Sequence, residues 1–435
     1  MTDFSAQYRS KLMLPDQIAG LFQSGYTFMA DSSLAQPPAI MDAVDRRVAS
    51  GELEGITHCI SLELYPRLCY QDPSSLGKIT GVSWFSGAAA RNAVSKGFAD
   101  VMPCYYRDMP VLVEQYLDLD VCVARVSPMD KHGYFSAGLV GSMTDALMKK
   151  AKHIFLEVNA EMPRSLSGPI FHISQISGLC ENNAPLITLP DAVPDEVSTT
   201  IGNIIAEQIP DGATLQLGIG AIPDAVGMAL KGKKHLGLHT EMFTTSMVEL
   251  IECGAVDNSR KPIHTGRSVA TFALGSKRIY DYIDDNPAVQ MLPVEYVNNP
   301  EVIAQHPNFV SVNAALEVDF YGQVAAESVG TYHVSGTGGQ VDYVRGAIQS
   351  KGGKSFIAFP STAKNGTVSK ISSILAPGAI VTTSKNDVDC IVTEYGIAKL
   401  RGQTLSQRAR NLISIAHPNF RDELTFAAKK RGILL

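Results

Sequence analysis

The sequence predicts an α/β protein made of two similar open domains with mainly parallel sheets. Its 435 residues exceed one ordinary hydrophobic core, since about 150 residues per domain is usual, so two or three domains are expected. Apolar runs of strand length alternate with helical patterns along the chain, which is typical of parallel strands covered by helices. The two halves also share a rhythm of strand, loop and helix.

The clearest strand, loop and helix unit lies in the second half. A helix is predicted there by apolar residues at helical spacing. These residues are Val197, Ile201, Ile204, Ile205 and Ile209. A strand candidate at 213–217 follows and leads into the glycine loop "GIG" at 218–220, after which Pro223 is expected at the favoured first position of a second helix. "HLGLHT" at 235–240 then has the pattern of a buried strand, and Glu241 follows immediately.

The first half resembles this unit. Residues 26–44 match residues 213–230 in rhythm. Because α/β proteins repeat such patterns for physical reasons alone, both duplication and coincidence remain open. Asn and Pro cluster at 181–196, which predicts a boundary between a domain of residues 1–185 and a domain of residues 186–435.

Composition excludes several classes of function. The net charge is −6 and Lys and Arg are scattered, so no electrostatic footprint for nucleic acid or an anionic membrane is present. No apolar run reaches the ~18 residues that a membrane span requires, and the amino terminus lacks the apolar region of a signal peptide. Seven cysteines without a C-x-x-C pair are expected to be reduced thiols. The sequence therefore predicts a cytoplasmic protein that acts on small molecules.

Common cofactor and metal motifs are incomplete. "GIGAIP" lacks the third glycine of the dinucleotide fingerprint, and "SKGGKS" at 350–355 is preceded by Ile348 where a P-loop needs its first glycine. His235 and His239 have the spacing of helical zinc ligands, but on a strand that spacing separates them by about 13 Å. No metal site is therefore predicted.

Glu241 is an acid placed directly after a buried strand, where an ionised group costs several kcal/mol to desolvate. Successive loops of a parallel sheet leave at one edge, so the loop at 218–220 and Glu241 are expected to face the same crevice. Backbone N–H groups of that loop could hold an oxyanion while the carboxylate attacks a carbonyl carbon. A second glycine cluster lies at 334–342. From these residues alone, structural turns and an ion pair of Glu241 remain the alternatives.

Seven long stretches form a set that is far more specific than a single glycine pattern. They are "RNAVSKGFADVMP" (91–103), "VSPMDKHGYFSAG" (126–138), "DGATLQLGIGAIPDAV" (211–226), "GLHTEMF" (237–243), "FALGSKRIYDYIDDNP" (272–287), "SGTGGQVDYVRGA" (335–347) and "VTEYGIAKLRGQTLSQRA" (392–409). Together they resemble the family I coenzyme A transferases, also called the acetyl-CoA hydrolase/transferase family. The resemblance covers nearly the whole chain and favours the branch of 4-hydroxybutyrate and butyryl-CoA:acetate CoA-transferases.

The resemblance implies a CoA-transferase fold with the active site in a cleft between the two domains. It also implies that Glu241 is the catalytic nucleophile, which accepts CoA from an acyl-CoA as a glutamyl-CoA thioester and passes it to a second acid. The residues implied to line the oxyanion and CoA-binding region are Gly218, Ile219 and Gly220. Those implied to approach the CoA pantetheine are Gly336, Gly338 and Gly339.

The implied substrates are an acyl-CoA and a short-chain carboxylate of the 4-hydroxybutyrate, butyrate or acetate class. Coenzyme A is then a co-substrate, and no permanently bound cofactor is expected. No nucleic-acid or membrane partner is predicted, and family likeness implies a homodimer or a higher homo-oligomer. Thr245-Ser246 replaces an Asp-Gly pair of the family, which leaves the preferred acyl group open. An acyl-CoA hydrolase using the same glutamate and a non-catalytic metabolite-binding protein remain as alternatives.

Overall fold

The computed structural model describes residues 4–191 and 193–434, which form two compact units. The bounds of the first unit are Met1–Pro190 and Val269–Tyr296, and those of the second are Asp191–Ser268 and Val297–Leu435. Each unit contains one larger, mainly parallel sheet. The α/β class predicted from the alternating pattern is confirmed.

The helices and strands are numbered in chain order. The helices are α1 Phe4–Lys11, α2 Pro15–Ala19, α3 Pro38–Ala49, α4 Leu68–Gln71, α5 Ala88–Ser95, α6 Met109–Tyr116, α7 Thr144–Lys150, α8 Glu196–Ala206, α9 Ala221–Ala229, α10 Thr245–Glu252, α11 Lys277–Ile283, α12 Val294–Val297, α13 Pro300–Ile303, α14 Gln340–Gln349, α15 Leu405–Ser414 and α16 Pro418–Lys430. The strands are β1 Thr27–Ala30, β2 Ile56–Ser61, β3 Ile79–Phe85, β4 Asp100–Val101, β5 Val121–Val126, β6 Tyr134–Ser136, β7 His153–Val158, β8 Ile170–His172, β9 Gly178–Glu181, β10 Thr214–Leu217, β11 Gly237–Leu238, β12 Met242–Phe243, β13 Ser268–Ala270, β14 Phe272–Ala273, β15 Val289–Met291, β16 Val310–Ala314, β17 Glu317–Asp319, β18 Val324–Ala325, β19 Ser328–Val329, β20 Tyr332–His333, β21 Lys354–Ala358, β22 Thr362–Ala363, β23 Val368–Ser369, β24 Ile371–Ser372, β25 Cys390–Thr393 and β26 Gly396–Lys399. Among the described residues, no helix combines the length and the apolar character that a membrane crossing would need.

The sheet of the first unit has the strand order β4-β3-β2-β1-β5-β7-β9, and every neighbouring pair is parallel. Its strands are rich in buried apolar residues because helices pack against them. In α3, Ile40, Val44 and Val48 recur at helical spacing and are fully buried in this core. The periodicity of the sequence thus determines which face of α3 packs on the sheet.

The sheet of the second unit has the order β11-β10-β16-β21-β25-β26. The strands are parallel up to β25, and β26 is antiparallel. The first five strands repeat the arrangement β2-β1-β5-β7-β9 of the first unit, so the two units have similar topology. In both sheets the strand order reverses beside the first strand, which is where open α/β sheets bind ligands at their carboxyl edge.

The segment Val269–Tyr296 belongs to the first compact unit although it follows part of the second along the chain. Backbone hydrogen bonds hold it there: Gly141 N–H donates to Thr271 O at 2.6 Å, and Leu189 N–H donates to Gly275 O at 2.9 Å. The single boundary predicted at residues 185 and 186 therefore does not separate the compact units, because the second part of the chain contributes this segment to the first unit.

Candidate functional site

The loops after β10 and β11 leave the sheet of the second unit at the same edge. The strands are parallel with Leu215 opposite Leu238, and the His239 N–H donates to Leu215 O at 3.1 Å. The glycine loop at 218–220 begins directly after β10, and Glu241 follows the end of β11. Both features are therefore at the carboxyl edge of the sheet, as parallel strands require.

Gly220 ends the glycine loop as the N-cap residue of α9, with φ 117° and ψ −178°. Residues that have a side chain rarely adopt this conformation. The Gly218 N–H donates to Val312 O at 2.9 Å, whereas within residues 4–191 and 193–434 no acceptor bonds the N–H of Ile219 or Gly220. Ile219 and Gly220 are exposed residues.

Gly220→Ala is expected to lower the free energy of unfolding by about 1–3 kcal/mol, because an L residue is strained at this φ. No atom lies within 4 Å of a Cβ built there, so the effect comes from backbone strain and not from a clash. Urea unfolding measures the difference. Gly232→Ala is the matched control, since that glycine has open space and no left-handed φ. Equal stability of the two variants would contradict this expectation.

The Glu241 carboxyl is hydrogen-bonded to a buried amide. Asn298 Nδ2 donates to Glu241 Oε2 at 2.7 Å, and Asn298 is fully buried. Glu241 keeps partial solvent access as a residue, but its carboxyl group is desolvated. This burial raises the pKa of Glu241 to about 7, and the hydrogen bond from Asn298 opposes the rise. Such a carboxylate is a stronger base than an exposed glutamate, as is typical of functional sites.

Gly339 lies against the same carboxyl. A Cβ added to Gly339 would be 1.8 Å from Glu241 Oε2 and 2.2 Å from Asn298 Nδ2, so a glycine is required here. Gly339 is the N-cap residue of α14, and the carboxyl thus sits at the amino end of a helix, where the helix dipole favours negative charge. We call Glu241, Asn298 and Gly339 the carboxyl cluster.

Gly336 and Gly338 belong to the loop that leads to Gly339. Gly338 is buried with φ 58°, and Gly336 O accepts a hydrogen bond from Ser335 Oγ at 3.3 Å. A backbone hydrogen bond holds the start of this loop, since the Val334 N–H donates to the backbone oxygen of Glu327 at 2.8 Å. Among the predicted glycines, Gly339 lies against Glu241.

Sequence reasoning did not identify Asn298. Its neighbour Asn299 caps α13, since the Asn299 side chain accepts the Glu301 N–H at 2.9 Å. Asn298 faces Glu241, and its Oδ1 accepts a hydrogen bond from the Tyr343 hydroxyl at 3.2 Å. Nothing in the run Asn-Asn-Pro at 298–300 distinguishes a helix cap from an amide that binds a carboxyl. The contact of Asn298 with Glu241 is therefore identified only from the three-dimensional structure.

The two histidines with metal-ligand spacing do not face each other. His235 is exposed with Nδ1 2.8 Å from Asp257 Oδ2, whereas His239 is fully buried with Nε2 2.7 Å from Val297 O. Over residues 4–191 and 193–434, no group of three or more His, Cys, Asp or Glu side chains could hold a metal ion.

Comparison with known proteins identifies the family. Residues 1–188 match the acetyl-CoA hydrolase/transferase N-terminal domain, and residues 275–428 match the acetyl-CoA hydrolase/transferase C-terminal domain. The chain belongs to the acetyl-CoA hydrolase/transferase family, as the resemblance of its motifs predicted.

Relatives within this family have CoA-transferase names. Succinyl-CoA:cyclohexane-1-carboxylate CoA transferase of Geobacter metallireducens is 46% identical and is matched over 98% of this chain and 97% of that protein. The 4-hydroxybutyrate coenzyme A transferase of Clostridium kluyveri is 48% identical over 80% of this chain and 81% of that protein. The crystal structure of RipA from Yersinia pestis matches with a TM-score of 0.94 at 37% identity, with 100% of both chains covered. These relatives confirm the predicted enzyme class and fold.

Proposed function

We propose that this protein transfers CoA between an acyl-CoA and a short-chain carboxylate, with Glu241 as the nucleophile. The observation that carries the proposal is the carboxyl cluster, in which a desolvated carboxyl is held by Asn298 and packed against Gly339 at a helix amino end. Membership of the acetyl-CoA hydrolase/transferase family supports thioester chemistry at this site.

Four substitutions at carbonyl carbons account for the transfer. Ionised Glu241 attacks the thioester carbon and expels CoA thiolate, which leaves a mixed anhydride. The thiolate then attacks the glutamyl carbonyl carbon, which releases the first carboxylate and leaves a glutamyl-CoA thioester. The second carboxylate attacks that thioester and expels the thiolate, and the thiolate takes the new acyl group from the anhydride. Glu241 is thereby regenerated as a carboxylate.

Each substitution passes through a tetrahedral oxyanion that needs hydrogen-bond donors, and one such donor is worth about 10²–10³ in rate. The N–H groups of the exposed residues Ile219 and Gly220 suit this role because no protein acceptor in the described part of the chain uses them. Gly218 fixes the loop, since its N–H is bonded to the neighbouring strand. The residues proposed to lie along the CoA pantetheine are Gly336, Gly338 and Gly339, which lack side chains that would block it.

The rate of CoA transfer is expected to fall below about pH 7, because Glu241 must be ionised to attack and its pKa is about 7. Well below that pH, kcat/KM should drop about tenfold per pH unit. Asn298→Ala should move this acid limb to higher pH, because the hydrogen bond that lowers the pKa is lost. A pH series for both proteins measures the limb, and a parent limb near the ordinary glutamate value of 4.5 would contradict the assignment.

The proposed acceptor acids are those of the 4-hydroxybutyrate, butyrate or acetate class. Relatives at 46% and 48% identity are named for different acids, so similarity supports the class and not one acid. The test is incubation of an acyl-CoA with isotopically labelled acetate or butyrate. If the protein is a transferase, the label of the added acid is expected to appear in a new acyl-CoA. Release of free CoA at one rate with and without the acid would instead identify a hydrolase.

Cytoplasmic location and assembly into a homodimer or higher homo-oligomer are part of the proposal. The seven cysteines without a C-x-x-C pair, which are typical of a reducing compartment, support the location. Family likeness supports the assembly. Sedimentation of the purified protein tests the assembly directly, and a sedimenting species of 46.8 kDa would contradict it.

A further inference from the structure

The strand that leads to Glu241, β11, is the edge strand of its sheet. At Leu238 the outer side of this strand is bonded by side chains and not by a further strand. The Leu238 N–H donates to Asn258 Oδ1 at 2.8 Å, and Leu238 O accepts a hydrogen bond from Lys261 Nζ at 2.7 Å. Unpaired groups on an edge strand would leave it free to shift or to pair elsewhere. Two side chains therefore fix the backbone just before Glu241.

Lys261 is buried, with 2% of its surface exposed. Its Nζ also donates to Arg267 O at 2.6 Å, and no carboxylate in residues 4–191 and 193–434 forms an ion pair with it. The alkyl stem crosses Gly237, where an added Cβ would lie 2.7 Å from Lys261 Cγ. Burying an amine without an acid destabilises its charged form, and burial lowers the pKa of Lys261 to about 7. Lys261 therefore acts through its hydrogen bonds to the carbonyl oxygens of Leu238 and Arg267.

A second buried basic side chain bonds the backbone beside Asn298. His239 Nε2 donates to the oxygen of Val297, the residue that precedes Asn298, at 2.7 Å. The His306 ring lies 5.0 Å from the His239 ring, and in the described part of the chain His239 Nδ1 and both His306 nitrogens have no hydrogen-bond partner. Burial, with neighbouring positive charge as a smaller cause, lowers the pKa of both imidazoles, so they are neutral. Lys261 thus bonds the backbone shortly before Glu241, and His239 bonds the backbone immediately before Asn298.

We propose that Lys261 is a positioning residue for Glu241. The proposal rests on the proposed role of Glu241 as the nucleophile. By tying Leu238 O to Arg267 O, Lys261 fixes the strand end from which Glu241 projects. A misplacement of about 1 Å can cost about 10²-fold in rate, so loss of this tie slows the attack without removing a group that touches substrate.

Lys261→Met tests this role, because it keeps most of the stem and removes both hydrogen bonds. The rate at which the glutamyl-CoA adduct forms on Glu241 at saturating acyl-CoA is expected to fall about 10–100-fold. The KM for acyl-CoA should change by less than about threefold, since no substrate contact is lost. Lys234→Met, which replaces an exposed lysine of the same unit, should keep the parent rate. Rates are expressed per mole of folded protein, measured by circular dichroism.

Gly237→Ala provides a second test if Lys261→Met does not fold, because its Cβ displaces the lysine stem while the amine stays in the chain. The adduct rate should again fall with little change in KM. Folded variants that form the adduct at the parent rate would overturn the positioning role alone. If the parent protein forms no adduct, the proposed function fails and the positioning role fails with it.

Discussion

Glu241→Gln is expected to lower the rate of CoA transfer by roughly 10⁴-fold or more, because an amide has no ionised oxygen with which to attack a thioester. The glutamine side chain has nearly the same shape, so an oxygen can still accept the hydrogen bond from Asn298 and pack against Gly339. The fold should therefore be preserved. The measurement is kcat/KM for exchange between an acyl-CoA and a free acid.

The control for this variant is Glu207→Gln, which makes the same chemical change at an exposed position of the second unit. It should keep the parent rate. The comparison separates loss of the nucleophile from a general effect of removing one negative charge. A Glu241→Gln protein that is folded and retains a rate within about tenfold of the parent would rule out Glu241 as the group that accepts CoA.

Gly339→Ala should have the second largest effect, a loss of about 10²-fold or more in kcat/KM. Its Cβ would lie 1.8 Å from Glu241 Oε2 and 2.2 Å from Asn298 Nδ2, distances that non-bonded atoms do not adopt. Either the carboxyl, the amide or the amino end of α14 must move. Each of these movements separates Glu241 from the donor that holds it or from the helix end that favours its charge.

Gly232→Ala is the control for Gly339→Ala as well, because it adds the same methyl group in open space of the same unit. Stability should be measured beside activity, since a methyl group forced into a packed region also destabilises the fold. If Gly339→Ala is folded and transfers CoA at a rate within about threefold of this control, the contact between Gly339 and the Glu241 carboxyl has no catalytic importance.

Elements whose apolar residues follow a local period could be predicted from the sequence. The helix predicted from Val197 to Ile209 is α8, Glu196–Ala206, and the strand predicted at 213–217 is β10, Thr214–Leu217. The strand predicted at 235–240 is shorter in the structure, where β11 covers Gly237–Leu238. Its pairing with β10 spans two residues, and β11 lies at the edge of the sheet.

Contacts between distant parts of the chain could not be predicted in the same way. Asn298 is 57 positions from Glu241, and no local pattern marks a pair at that separation. The contact of Gly339 with the carboxyl likewise depends on how α14 packs on the sheet. Family likeness singled out the glycine loop of Gly339 but gave no geometry. The segment Val269–Tyr296 packs in the first compact unit, and its composition does not distinguish it from the second-unit residues that flank it along the chain.

The most direct test of the central claim is the mass of the Glu241 peptide after incubation with an acyl-CoA. We predict that this peptide gains the mass of CoA less one water and loses it again when a carboxylate acceptor is added. The same peptide of Glu241→Gln should show no gain. A protein that transfers CoA when an acid is supplied, but whose Glu241 peptide is unmodified after incubation with the acyl-CoA alone, would contradict the claim.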